Sequence, residues 1–154
     1  MHVQHTVSVH LDATLEQAWA LISDPSRVPE WHTQCVAVRD IHEVPGHVGE
    51  TEVYVMNVPG GQHDFQTEVT GWEELRSITV AGREVGGGQT WTSVQRFAPT
   101  GNGTDWTYEL DSEIPGNRVV GVLAGKLIEG SIDRWMHKSM ENFGELARNN
   151  LQPA

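Results

Sequence analysis

The chain has 154 residues, enough for one domain that buries about two thirds of its unfolded surface without staples. Ten Lys and Arg stand against 21 Asp and Glu, a net charge of −11; the cations are scattered, which argues against nucleic acid and anionic membrane surfaces as partners. Cys35 is the single cysteine, so no internal disulfide can form, and no apolar run nears the roughly 20 residues that span a bilayer.

The N-terminus, MHVQHTVSVHL, lacks a basic region followed by an apolar one, so no signal peptide and a cytoplasmic location are expected. Val3, His5, Val7, Val9 and Leu11 alternate with Gln4, Thr6, Ser8 and His10, the period of a half-buried strand. In "DATLEQAWALI", Leu15, Ala18, Trp19 and Ile22 recur at helical spacing, with Asp12 or Thr14 as N-cap. Pro25 ends this helix because proline disfavours helical backbone at the residue before it. Residues Arg27 to Trp31 can make one more short turn.

Hairpin units follow. Val36 to Val44 and Glu50 to Val58 read as strands joined by "PGHVG", and "PGGQ" turns again. His63, Phe65, Thr67 and Val69 alternate with Asp64, Gln66 and Glu68, while Tyr54 and Met56 lie on a strand with two apolar faces and no clear inward side. Ser77 to Val80 is a short strand and "GREVGGG" a flexible loop. Trp91, Ser93, Gln95 and Phe97 form one face of the next strand, and "PTGNGT" a tight turn. Trp106, Tyr108 and Leu110 then alternate against Thr107, Glu109 and Asp111. Gly116 and Asn117 supply a last turn, and from about Arg118 the period becomes 3.6. Leu127, Ile128, Ser131, Ile132, Trp135, Ser139, Phe143 and Leu146 make an apolar stripe, with Lys126, Glu129, Asp133, Lys138, Glu141 and Glu145 off it.

A run of strands closed by one long helix indicates an α+β fold with an antiparallel sheet that curls over the helix stripe. Residues 1–154 are expected to form a single domain. The segment "TLEQAWALISDPSRVPEWH", the Gly-rich hairpins, "RFAPTGNGT" before a Trp/Tyr strand and the long terminal helix resemble the START-like superfamily. This is the helix-grip group that includes polyketide cyclases/dehydrases, lipid-transfer domains and plant hormone and allergen proteins. The resemblance implies a curved sheet of about six to seven strands around the C-terminal helix, with two short helices after the first strand. It also implies a cavity between sheet and helix, with Trp31 and His32 capping one end.

Alternation then selects what faces the cavity. The expected ligand-binding set is Trp31, His32, His63, Phe65, Thr67, Trp91, Ser93, Gln95, Trp106, Tyr108, Ser131 and Trp135. Many of these residues can equally fill a core, but a dry core rarely holds so many hydroxyls, amides and imidazoles. His63 and His32 are the acid/base candidates, since imidazole exchanges protons near neutral pH. Tyr108 could polarise a carbonyl. Arg96, the nearby cation, alternates outward.

No His pair at i,i+4 on a helix and no HxH on a strand occurs, so neither a metal nor another cofactor is expected. "GGGQTW" lacks the Lys-Ser/Thr ending of a phosphate loop and reads as a mobile hairpin loop placed to gate the cavity mouth. The favoured function is binding of a hydrophobic, aromatic or polycyclic small molecule, in the manner of a carrier. The alternatives are a polyketide cyclase/aromatase or dehydratase, and a stress-response or metabolite-sequestering protein. A homodimer is left open.

Overall fold

The computed structural model describes residues 1–58, 61–116 and 121–149, with side chains of the last segment from Lys126 onward. Strand β1 (His2–Leu11) is followed by α1 (Leu15–Ile22), a 3-10 turn (Pro25–Arg27) and α2 (Val28–Trp31). Six strands come next: β2 (Cys35–His42), β3 (Thr51–Val58), β4 (Gly61–Glu73), β5 (Ser77–Glu84), β6 (Thr90–Thr100) and β7 (Gly103–Glu113). Helix α3 (Gly121–Asn149) closes the chain. The seven strands form one antiparallel sheet in the order β1-β7-β6-β5-β4-β3-β2. Consecutive strands from β2 to β7 pair as hairpins, and β1 lies at the far edge beside β7. This is the helix-grip architecture.

Local chemistry explains the segment between β1 and β2. Thr14 caps α1 through a reciprocal box: its Oγ1 accepts from the Gln17 N–H at 3.1 Å, and the Gln17 side chain accepts from the Thr14 N–H at 2.8 Å. Asp24 caps the 3-10 turn by accepting from the Ser26 N–H, with Pro25 at the position where a missing N–H costs nothing. α2 is then tied to α3. The Thr33 N–H donates to Ser139 Oγ at 3.0 Å, and Asn142 Nδ2 donates to the Trp31 carbonyl at 3.3 Å. These bonds hold Trp31 and His32 against the terminal helix.

The inward alternation of β1, β4, β6 and β7 matches burial: Val3, Val7, Leu11, Phe65, Val69, Phe97, Trp106 and Leu110 are all in the core. The two-faced β3 turns Tyr54 and Met56 inward, opposite Phe65 and His63 of β4. On α3, Ile132, Met136, Ser139, Met140, Phe143 and Ala147 are buried. Leu127, expected on the buried stripe, is 71 % exposed. β5 runs to Glu84, beyond the short strand expected to stop at Val80. Gly82 hid this continuation, since glycine weakens a strand pattern, yet it is required there. A Cβ at Gly82 would lie 2.3 Å from Cε2 of Trp91, whose indole sits over it. The expected "PGGQ" turn at Pro59 and Gly60, and the turn and helix onset at Asn117 and Arg118, lie outside the described residues.

Candidate functional site

Between the sheet and α3 lies a cavity of about 210 Å³. The ends of β3, β6 and β7 form its floor, with Met56, Trp91, Tyr108, Leu110 and Ser112. The N-terminal half of α3 forms its roof through Ile128, Ser131, Ile132 and Trp135. A smaller inner chamber of about 40 Å³ lies deeper, toward α1 and α2. It is lined by Trp31, Tyr54, Ser93 and Gln95 among others, and His32, Trp91 and Tyr108 line both spaces.

His32 has a defined chemical state. Its ring stacks on Trp135 with centroids 4.8 Å apart, and Trp135 in turn meets Tyr108 edge-on at 6.3 Å. Burial pushes the His32 imidazole down to about 4, so the ring is neutral at pH 7. The Gln34 N–H donates to His32 Nδ1 at 3.2 Å, which leaves the ring proton on Nε2. His32 therefore offers the cavity a hydrogen-bond donor rather than a base. Burial also holds the Tyr54 and Tyr108 phenols well above their ordinary range, so both remain neutral hydroxyls.

Of the residues singled out in the sequence, Trp31, His32, Trp91, Ser93, Gln95, Tyr108, Ser131 and Trp135 line one or both spaces. His63, Phe65, Thr67 and Trp106 line neither. His63 lies on the inner sheet face, but its Nδ1 is 2.7 Å from Oε1 of the buried Glu84. The other Glu84 oxygen accepts from the Gln89 N–H at 2.8 Å, so this carboxylate is held from two sides. Thr67 donates to the Glu52 carbonyl at 3.0 Å, and that internal bond explains a buried hydroxyl without a ligand. Phe65 is fully buried in the sheet's inner face. Trp106 is likewise fully buried and packs against Phe143 with centroids 4.2 Å apart. In both strands the alternation marks the inward face correctly, but these inward positions are core, not cavity. Arg96 does point outward, to Glu109 at 2.6 Å.

Gln34, Gln89 and Ser112 line the outer cavity as well, and the expected set does not contain them. Ser112 extends the β7 alternation by one step, a legible signal. Gln34 and Gln89 lie outside the strands, where periodicity says nothing. Among the described residues, no three His, Cys, Asp or Glu side chains converge as metal ligands. No helix among them is long and apolar enough to cross a membrane.

A family model for "polyketide cyclase / dehydrase and lipid transport" matches residues 2–147. No curated protein sequence matches the chain significantly. Among solved structures, a START superfamily protein from Mycobacterium smegmatis aligns over 94 % of this chain and 98 % of its own, at 18 % identity and TM-score 0.75. The di-domain aromatase/cyclase StfQ of the steffimycin biosynthetic pathway aligns over 97 % of this chain but 50 % of its own, at 13 % identity and TM-score 0.74. Major latex-like protein 151 of Panax ginseng aligns over 98 % of this chain and 99 % of its own, at 14 % identity and TM-score 0.68. At these identities the structural likenesses speak for the fold.

Proposed function

The chain belongs to the polyketide cyclase/dehydrase and lipid transport family, and from that premise we propose that it binds an aromatic small molecule between the sheet and α3. The observation that carries this reading is the lining of the outer cavity. Apolar side chains and the indoles of Trp91 and Trp135 surround a space of about 210 Å³, and the polar groups that line it among the described residues are uncharged at pH 7. Apolar walls with a few fixed polar groups are the usual form of a small-molecule site. The volume is somewhat above the roughly 150 Å³ that accommodates benzene, which suits one or two rings. Native mass spectrometry of the purified protein tests the reading. An added mass the size of a one- or two-ring compound that is lost on denaturation supports it. A bare mass, together with no rise in melting temperature across an aromatic panel, refutes it.

An enzymatic reading has one specific support. The Nε2–H of His32 and the hydroxyl of Tyr108 flank the same cavity and could jointly polarise a carbonyl, as a cyclisation or dehydration needs. Replacing them by His32→Gln and Tyr108→Phe would then lower turnover far more than binding.

A further inference from the structure

We infer that the inner chamber is a subsite for an uncharged oxygen group of the ligand, and that it refuses a carboxylate. The inference rests on the aromatic-binding reading above and adds the chemistry of the end that enters first.

Three observations carry it. The first is charge. The described residues lining both spaces include no Lys, Arg, Asp or Glu. A buried carboxylate would find no counter-charge there, and an unpaired buried charge is among the costliest arrangements in a protein. The buried acid Glu52 sits two residues along β3 from Tyr54 and, once ionised, would add repulsion. The molecule's overall −11 acts in the same direction.

The second observation is unmet hydrogen-bonding capacity. Trp31 Nε1, Trp91 Nε1 and Gln95 Oε1 are buried and have no partner among the described residues. All three belong to residues lining the inner chamber. Trp31 is 2 % exposed and Gln95 7 %. Buried polar groups are nearly always partnered, so unmet groups on residues that line a chamber favour a polar guest in it. His32 Nε2–H and the Tyr54 and Tyr108 hydroxyls also make no hydrogen bond to a described residue, so neutral groups that donate and accept stand ready for a hydroxyl or carbonyl.

The third observation is size. About 40 Å³ admits a hydroxyl or carbonyl head, whereas a second ring does not fit. The rings therefore remain in the outer cavity, between Trp91 and Trp135, while the oxygen points toward Gln95.

Three probes of one shape test this: 2-naphthol, 2-methylnaphthalene and 2-naphthoate, titrated at pH 7 against tryptophan fluorescence. The expectation is that 2-naphthol binds about tenfold tighter than 2-methylnaphthalene, the worth of one or two buried neutral hydrogen bonds. Naphthoate should bind at least about a hundredfold weaker than 2-naphthol. In Gln95→Leu, whose fold is checked by its melting curve, the naphthol advantage should shrink to about threefold or less while methylnaphthalene binding persists. Equal binding of naphthol and methylnaphthalene to the wild-type protein would overturn the subsite and leave aromatic binding intact. So would naphthoate binding as tightly as naphthol. These wild-type comparisons stand even if the variant does not fold. No binding of any probe would overturn the aromatic-binding reading itself, and the subsite with it.

Discussion

Glu52 gives the sharpest test of the energetics. It is 3 % exposed on the inner face of β3, and its Oε2 has no hydrogen-bond partner among the described residues. Burial first, then the charges of Glu50 and Glu43, push its carboxyl from 4.5 up to about 7. The folded protein thus keeps this proton to about pH 7, whereas the unfolded chain releases it near 4.5. Stability contributed by the neutral form is fully present below pH 4.5 and is lost as pH rises through about 7. At about 1.4 kcal/mol per pH unit the ceiling is about 3 kcal/mol, and partial solvent screening near the sheet edge lowers the expectation to about 1–2 kcal/mol. Glu52→Gln keeps the shape of the protonated side chain and cannot ionise. Urea or thermal melts of both proteins from pH 4 to pH 8.5 should coincide at the acid end. At the alkaline end the Glu52→Gln protein should be the more stable, by roughly 3–6 °C in Tm for a domain of this size. Parallel curves across that range would refute the burial argument. Groups that do not interact with Glu52 are common to both proteins and cancel in the difference.

His32 should show the opposite sign. Its imidazole, held down at about 4 in the fold, costs stability as pH falls from 6.5 toward 4. Nitrogen-15 NMR should report the Nε2–H tautomer and a flat titration through pH 5.5; a midpoint near 6.5 would contradict its burial. The Cys35 thiol, 3 % exposed and pushed by burial up to about 12, should react with a disulfide reagent only as fast as the protein unfolds. Reaction at the rate of free cysteine in the native state would refute that placement. Gly82→Ala drives a methyl into the Trp91 indole and should cost about 1–3 kcal/mol, with a shift of tryptophan emission. An unchanged melting temperature and spectrum would show that Trp91 does not lie over Gly82.

Period-two alternation in β1, β4, β6 and β7 and the 3.6 period of α3 are local consequences of backbone geometry, so strand faces and the helix stripe were legible in the sequence. A cap at Asp12 or Thr14 was legible for the same reason, since a cap is satisfied within three residues, and the reciprocal bonds with Gln17 select Thr14. Where a local signal was ambiguous, long-range pairing settled it. Tyr54 and Met56 became inward only through their register with Phe65 and His63. Gly82 weakened the β5 pattern because its role is to make room for a side chain on the next strand.

The candidate site divides along the same line. Chain chemistry alone placed Trp91, Ser93, Gln95 and Tyr108 on the inward face, because that choice depends only on alternation. Which inward residues line open space depends on how far α3 stands from the sheet at each point. Near Phe143 the helix is in contact with Trp106, and the inward face there is core; near Trp135 it stands off, and the inward face there is cavity. The sequence by itself determined most of the elements and their inward and outward faces. The tertiary structure decided the separation between helix and sheet, the Nε2–H state of His32 and the pairing of His63 with Glu84, since each depends on atoms that only the folded chain brings together.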